Sequence, residues 1–433
     1  MLALVLDSLR AIVRCLAWRF ATTAAMALLV VVRTSSAAPP AFTPFHANGI
    51  YAVGERVGWT LVAPDGCPTP AGGYRYTIRK NNADTIGAGT LDPAGGATTI
   101  ETSLAEPGMV FVQVDTGDAH SVTLGAAVAP TSLAPSAPRP ADFDAFWDSK
   151  LAALRAVPFN PLLRPLDTAD AGVSLFAISI GSLGSRVQGY LATPKREGKF
   201  PALIIYQYAG VYALQTRTVT DRAAEGWLTL DVSSHDLPPD QGIGVPQNYG
   251  AVGNTDRETS YFLKMYLRDA RAIDYIASRP DWDGKTIVVM GTSMGGHQSL
   301  VAAGLNPKVT AVLVNEPAGA DANGDLHGRK QGYPNWAAAT DPRVAKTGLY
   351  FDTIYFASRI KAPSLVAIGF IDTVTPPVGI WTAFNQIPGP KEAVPMVESD
   401  HNNLTPQKQG AWIARSKDVL DTLLHGGPFQ PRD

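Results

Sequence analysis

The chain has 433 residues, and its 36 Lys and Arg against 38 Asp and Glu give a formal net charge of −2. A composition of 45% hydrophobic and 17% charged residues is that of a globular protein, which excludes a disordered chain, a coiled coil, a collagen and a disulfide-stapled mini-protein. The balanced charge, with no run of basic residues, also argues against nucleic acid as a partner, because phosphate binding needs clustered Lys and Arg.

The N-terminus has the order of a secretory signal peptide. Basic residues within 10–19 precede an apolar run at 20–32, and small residues follow at 35–38. The apolar run is shorter than the roughly 20 residues that span a bilayer. We therefore expect a signal peptide over 1–37, a secreted or periplasmic protein, and no stable membrane span after cleavage. An uncleaved membrane anchor is the alternative.

The two cysteines do not predict a disulfide. Cys15 would leave with the signal peptide, so Cys67 would stand alone in the mature chain. A domain with a large core does not need a disulfide for stability.

Residues 41–128 alternate short β-type runs with turn-rich segments. Strands spaced by roughly 8–12 residues indicate a small all-β, immunoglobulin-like sandwich. Its aromatic residues either alternate into the core of the sandwich or line a sugar-binding face; they are Tyr51, Trp59, Tyr74 and Tyr76.

A proline-rich segment at 129–140 predicts a stiff, extended linker to a second domain at 141–428. That domain opens with a helix pattern from Asp142 to Leu154. Apolar strand patterns then alternate with helix patterns, which predicts a mostly parallel sheet with helices on both faces. The strand patterns are 201–206, 227–231, 285–290, 310–314 and 364–368, and the longest helix patterns are 260–278 and 407–424.

One motif in this domain carries chemistry. Gly291-Thr292-Ser293-Met294-Gly295 follows a predicted strand and precedes a helix pattern. A G-x-S-x-G motif in this context is typical of the nucleophile turn of α/β-hydrolases, in which the serine hydroxyl lies at the carboxyl edge of the sheet. Ser293 is therefore the candidate nucleophile. A glycine-rich turn with an idle serine is the alternative.

A serine hydroxyl needs a base and an acid, and in this fold both follow the serine in the chain. His401 is the candidate base, because it lies on a loop between a β-type run and the last helix. The other downstream histidines are less well placed: His297 in the helix of the nucleophile, His327 in a polar insertion and His425 in the tail.

Asp372 is the candidate acid, because it follows the apolar strand at 364–368. Its task would be to orient the imidazole and to stabilise the imidazolium. The remaining alternatives are Glu316, which follows the preceding strand, and Asp400, which is adjacent to the base.

Two backbone N–H groups are expected to hold the oxyanion of the reaction. One is that of Met294, directly after the nucleophile, and the other is that of Tyr208 or Gln207, after the strand at 201–206. The chain has no H-E-x-x-H or C-x-x-C motif, so we expect no metal and no cofactor. The insertion at 317–346, which holds Tyr333 and Trp336, is either part of a lid or a surface excursion.

From Asp142 to Leu424 the chain resembles the acetyl xylan esterase / cephalosporin-C deacetylase family, carbohydrate esterase family 7, of the α/β-hydrolase fold. The resemblance lies in the stretches 142–147, 262–279, 291–296, 350–352 with Pro363, 372–377 and 389–392. It implies Ser293, Asp372 and His401 as the triad and the N–H groups of Tyr208 and Met294 as the oxyanion hole. It also implies an acetylated sugar or polysaccharide as the substrate.

Three departures from the family pattern concern the surroundings of the pocket. Residues 233–240 replace the family's R-G-Q-G, Met294 replaces a Gln, and Asn402 replaces a Glu. An oligomer is possible, but the extra N-terminal domain puts the ring-like hexamer of the family in doubt.

The sequence thus predicts a serine esterase that removes acetyl or other short acyl groups from carbohydrates. The alternatives are another α/β-hydrolase, such as a peptidase or a general carboxylesterase, and a degenerate domain that binds polysaccharide without catalysis.

Overall fold

The computed structural model describes residues 40–62, 69–93, 98–117, 121–336 and 340–432. The predicted signal peptide and both cysteines lie outside these ranges. Along the described residues, no helix is both long and apolar enough to span a bilayer.

The N-terminal part folds into two small sheets. One has the strand order β1-β3-β6 and the other β2-β8-β7-β4-β5. The strands are β1 (Ala41–Pro44), β2 (Ile50–Tyr51), β3 (Val57–Val62), β4 (Tyr74–Lys80), β5 (Asp84–Leu91), β6 (Thr99–Thr102), β7 (Gly108–Asp115) and β8 (Ser121–Val128).

Alternating side chains from both sheets form one apolar cluster, as expected when two sheets pack face to face. Trp59 from one sheet and Tyr74 from the other are buried in it, as is Tyr51, while Tyr76 is partly buried at its margin. The aromatic residues therefore belong mainly to the core of this part. The immunoglobulin-like assignment and the domain limits stay predictions.

The proline-rich segment at 129–140 is docked along its length and does not span free solvent. Leu133 is buried in the large apolar cluster of the α/β part. The Asn385 amide donates to the carbonyls of Pro130 and Leu133, and the Tyr355 hydroxyl donates to the carbonyl of Ala137.

The remaining strands form one nine-stranded sheet of order β17-β16-β15-β14-β12-β13-β11-β10-β9. The strands are β9 (Leu162–Leu166), β10 (Val173–Ser182), β11 (Ser185–Pro194), β12 (Phe200–Tyr206), β13 (Leu228–Val232), β14 (Trp282–Thr292), β15 (Ala311–Asn315), β16 (Ser364–Gly369) and β17 (Lys391–Met396). The pairings among β12 to β17 are parallel, whereas β9, β10 and β11 pair antiparallel at one edge.

Helices cover both faces of this sheet. They are α1 (Phe143–Arg155), α2 (Arg217–Glu225), α3 (Tyr261–Ser278), α4 (Met294–Leu305), α5 (Pro342–Gly348), α6 (Thr353–Ala357), α7 (Pro377–Gln386) and α8 (Gly410–Leu424).

The central strands are apolar at successive positions because each face of the sheet is covered. In β14, Val289 faces the larger cluster, with helices α1, α3 and α4, while Val288 faces the smaller cluster, with Trp412 of α8. The mostly parallel sheet between two helical layers confirms the predicted fold class.

Strand order places the site. The chain leaves β12 toward β13 on one side and leaves the adjacent strand β14 toward β15 on the other, so the crevice between β12 and β14 is a topological switch point. Ligands of open α/β sheets bind outside the carboxyl ends of the strands at such a point. The loop after β12 and the turn after β14 are therefore neighbours there.

Candidate active site

Ser293 lies on a strained turn between β14 and α4. Its φ of 57° and ψ of −123° are rare for a residue with a Cβ. The flanking glycines make the turn possible: a Cβ on Gly291 would lie 2.3 Å from the carbonyl carbon of Gly295, and one on Gly295 would lie 2.2 Å from the carbonyl oxygen of Tyr206. The turn holds the hydroxyl at the N-terminus of α4, where negative charge is favoured.

The structure brings Ser293, His401 and Asp372 together. Nε2 of His401 is 2.9 Å from Oγ of Ser293, and Nδ1 of His401 is 2.7 Å from Oδ2 of Asp372. With Nδ1 donating to the carboxylate, Nε2 is left to accept the serine proton. Three residues that follow β14, β16 and β17 thus form one hydrogen-bonded chain, Asp372–His401–Ser293, which is called the relay below.

Asp372 is held rigidly in this relay. Its carboxylate is buried, and Oδ1 accepts the backbone N–H groups of Val374 and Thr375, each at 2.8 Å. Oδ2 accepts the Thr375 hydroxyl at 2.6 Å in addition to His401. Sequence reasoning gave Thr375 no role; the Asx turn that the sequence could have indicated is the one closed by the Val374 N–H, two residues after Asp372.

The pKa of His401 lies above its ordinary value. Burial acts to lower this pKa, but the hydrogen bond to Asp372 and the negative charges of Asp372, Glu316 and Asp400 outweigh burial. The surroundings therefore stabilise the imidazolium that would form when the ring accepts a proton.

A second buried carboxyl group, Glu316, lies behind the relay. Its Oε1 accepts hydrogen bonds from the Ser399 hydroxyl at 2.8 Å and from the Gln409 amide at 3.4 Å. Burial, with the nearby charge of Asp372, raises the pKa of Glu316 to about 7. Glu316 has no hydrogen bond to His401, so the structure favours Asp372 as the partner of the imidazole.

Asp400, the other alternative acid, turns away from the ring. It accepts the backbone N–H groups of Asn402 and Asn403 and pairs with Lys408 Nζ at 2.7 Å.

The ligand atoms of Glu316, Asp372 and His401 lie within 4.8 Å of one another, close enough to hold a metal ion. The atoms of Asp372 and His401 in this cluster are already joined by a hydrogen bond, which accounts for their proximity. The absence of a metal from the reaction stays a prediction.

The other downstream histidines lie elsewhere. His297 is fully buried, its Nε2 bonds to the Tyr266 hydroxyl, and burial lowers its pKa to about 3. His425 bonds to the carbonyl of Asp421 at the end of α8, and His327 is exposed in a short 3₁₀ turn.

The loop after β12, residues 207–210, is named the oxyanion loop below. The backbone N–H of Gln207 donates to the carbonyl of Val232, so that group is already engaged. This leaves Tyr208, whose side chain is 57% exposed and stacks on Tyr212 with ring centroids 4.7 Å apart. Met294 begins α4, so its N–H has no partner within the helix.

Among the described residues of the insertion at 317–346, Ala318 donates its backbone N–H to the Ser293 carbonyl at 3.0 Å, and Tyr333 lies close to Met294. The Tyr333 hydroxyl lies 3.6 Å from the Met294 sulfur. Trp336 instead packs in the core against Phe262, and only 2% of the residue is exposed, so its indole is part of the core and does not line a substrate pocket.

Comparisons with known proteins identify relatives of this chain. Residues 131–415 match the family model described as Acetyl xylan esterase (AXE1). The chain is 32% identical over 409 residues to acetyl esterase Axe7A of Xylanibacter ruminicola, covering 86% of this chain and 89% of that protein.

Solved structures of acetyl xylan esterases are also similar. The enzyme from Paenibacillus sp. R4 aligns with a TM-score of 0.59 and 27% identity, over 67% of this chain and 98% of that one. Acetyl xylan esterase 1 from Thermoanaerobacterium sp. JW/SL YS485 aligns with a TM-score of 0.58 and 25% identity, over 68% and 97% of the two chains. With an α/β-hydrolase fold and a family match over most of its length, this chain belongs to the acetyl xylan esterase family and is a carboxylic ester hydrolase.

Proposed function

We propose that the protein is a serine esterase that removes acetyl groups from carbohydrates through an acyl-enzyme. The observation that carries the proposal is the continuous relay from Ser293 Oγ to His401 Nε2, at 2.9 Å, and from His401 Nδ1 to Asp372, at 2.7 Å. The sugar component of the substrate is inferred from the names of the relatives.

In the first half of the reaction, His401 takes the proton of Ser293 as Oγ attacks the ester carbonyl. The negative charge moves to the carbonyl oxygen, which accepts the N–H groups of Tyr208 and Met294. His401 then gives its proton to the leaving sugar oxygen, and the acyl group stays on Ser293.

In the second half, water takes the place of the alcohol. His401 removes one proton from the water as its oxygen attacks the acyl carbon, and the resulting oxyanion uses the same two N–H groups. When this intermediate collapses, the bond to Ser293 Oγ breaks, Oγ takes the proton back from His401, and acetic acid leaves and ionises in water. Asp372 accepts the hydrogen bond of Nδ1–H throughout, so Nε2 is always the nitrogen that exchanges the proton.

The proposal is tested by acetate release from acetylated xylan, acetylated glucose and an acetylated antibiotic. Ser293→Ala should abolish release from each. Ser299→Ala is the matched control, because this buried serine lies on the same helix but bonds to the carbonyl of Gly295. Hydrolysis by Ser293→Ala at the parent rate would refute the mechanism.

Two further measurements separate the alternatives. Preference for long acyl chains or for peptides over acetyl esters would favour a general carboxylesterase or a peptidase. Failure of the parent protein to react with a fluorophosphonate probe at Ser293 would favour a binding protein without catalysis.

We also propose that the protein is exported, and that it works as a secreted or periplasmic enzyme. The basic, apolar and small-residue order of residues 1–37 supports this. N-terminal sequencing of the protein recovered outside the cytoplasm should begin close to residue 38, and recovery of the intact N-terminus in the membrane fraction would contradict cleavage.

A further inference from the structure

A buried cluster of polar aromatic residues lies behind the oxyanion loop. His235 and Tyr249 are each 1% exposed, and their rings meet edge to face at 4.7 Å. Tyr261 and Tyr333 border them. His235 lies in the segment that departs from the family pattern, and the relay of Ser293 does not use it.

The residues next to Tyr208 are held from both directions. On the N-terminal side, the Ser234 N–H donates to the Gln207 side chain at 2.9 Å, and the Ser234 hydroxyl donates to the Gln207 carbonyl at 3.2 Å. On the C-terminal side, His235 Nε2 lies 3.1 Å from the Gly210 carbonyl. Two consecutive residues after β13 therefore bracket the oxyanion loop.

The partners of His235 determine its protonation. A carbonyl can only accept a hydrogen bond, so Nε2 carries the proton that goes to Gly210. Nδ1 then accepts from the Tyr261 hydroxyl, 2.7 Å away. Burial lowers the pKa of His235 to about 4, aided by the charge of Arg268, which keeps the ring neutral at physiological pH.

Tyr249 connects the oxyanion loop to the start of α4. Its hydroxyl accepts the Gly210 N–H at 3.2 Å and donates to the Met294 sulfur, also at 3.2 Å. The Tyr333 hydroxyl donates to the same oxygen at 2.5 Å. One hydroxyl group thus touches both segments that supply the proposed oxyanion donors.

We propose that His235 and Tyr249 are positioning residues, which hold the N–H groups of Tyr208 and Met294 at the spacing that the oxyanion needs. This rests on the proposed function, because it presumes that those two groups bind the oxyanion. Neither side chain touches the reacting atoms; both act through Gly210 and Met294.

The test compares His235→Leu and Tyr249→Phe with the parent enzyme on p-nitrophenyl acetate. Removing an oxyanion donor costs about 10²–10³ in kcat, and a displaced donor should cost less, so we expect a fall of roughly 10- to 100-fold. KM should change little, since the oxyanion exists only after attack. His235→Gln keeps an N–H that can reach Gly210 and should restore most of the lost kcat.

A second readout separates positioning from general damage. The thiono analogue of the ester develops charge on sulfur, which a site spaced for oxygen binds poorly. The ratio of oxo to thiono rates should therefore fall in His235→Leu and Tyr249→Phe. Tyr355→Phe is the matched control, because it also removes a buried tyrosine hydrogen bond, to the Ala137 carbonyl, and should leave both kcat and the ratio unchanged.

Fluorophosphonate labelling keeps this proposal apart from the proposed function. If the parent enzyme labels at Ser293 but His235→Leu and Tyr249→Phe keep the parent kcat and ratio, the positioning role is wrong and the esterase mechanism stands. Parallel loss of both rates at a constant ratio would also overturn the positioning role, because it would show only a structural effect. If the parent enzyme does not label, both proposals fail.

Discussion

Asp372→Asn tests the relay most sharply, because the structure determines how the amide must sit. In the parent protein, Oδ1 of Asp372 accepts two backbone N–H groups, while Oδ2 faces His401. An asparagine therefore keeps its oxygen toward the two N–H donors and places its NH₂ toward the imidazole. Nδ1 of His401 must then accept, so Nε2 carries the proton and cannot take one from Ser293.

The size of the effect follows from the energy of the flipped amide, whose oxygen faces His401. Only this orientation lets Nδ1 keep its proton and leaves Nε2 free to accept one. Turning the amide over places its NH₂ against two N–H donors and loses two buried hydrogen bonds, at about 1–3 kcal/mol each. The flipped amide is thus disfavoured by roughly 2–6 kcal/mol, a factor of about 30 to 2 × 10⁴. We expect kcat on p-nitrophenyl acetate to fall within that range.

Thr375→Val is the matched control for Asp372→Asn. It removes the hydroxyl that donates to Oδ2 but keeps the backbone N–H and the carboxylate. A hydrogen bond to a carboxylate is worth about 1.5–3 kcal/mol, but this one is present both before and after His401 takes the serine proton. Only the change in its strength between the two states affects kcat, so kcat should fall by roughly tenfold at most. If Asp372→Asn retained kcat within threefold of the parent, the tautomer argument would be refuted and Glu316 would become the acid to test.

Three further changes have expected outcomes. Glu316→Gln removes a carboxyl group that is partly ionised near pH 7 and whose negative charge helps to raise the pKa of His401, so the acid limb of the pH profile of kcat/KM should move to lower pH; an unmoved limb would show that Glu316 does not act on the base. Ser293→Gly should relieve the strain of a positive φ, so its free energy of unfolding in urea should exceed that of Ser293→Ala by about 1 kcal/mol, and neither variant should hydrolyse ester. Gly125→Ala should lower kcat and stability, whereas Gly87→Ala, whose added Cβ meets nothing closer than 3.6 Å, should leave kcat unchanged.

The positions of the three relay residues could be predicted because they depend on strand order. The apolar runs that become β14 and β16 are continuous, and Ser293 and Asp372 follow them closely. Since the carboxyl ends of parallel strands meet at one edge, the position of each residue after its predicted strand favoured Asp372 and His401, although Glu316, which also follows a strand, stayed an alternative acid.

The supports of the site could not be predicted, because their partners are distant in the chain. Tyr333 meets Tyr249 across 84 positions, and His235 meets Gly210 across 25, with no local pattern in either case. Strand β9 was also missed, because its residues are mostly exposed and Pro165 interrupts the run, which resembles a loop.

The N-terminal sheets pack against the segment that precedes Asp372. Through this contact they can influence the site without binding a ligand themselves. An added Cβ on Gly125 of β8 would lie 2.6 Å from the carbonyl oxygen of Phe370, and one on Gly49 would lie 3.1 Å from its ring. Phe370 precedes Asp372 by two residues, so strand β8 and the turn before β2 pack against the segment that carries the carboxylate. Because Gly125 packs so close to the Phe370 backbone that no room is left for a Cβ, we expect a shift of the sheet to move this segment and to change the Asp372–His401 hydrogen bond. Displacement at Gly125 should therefore alter the pH profile as well as stability, which a sheet serving only to bind polysaccharide would not do.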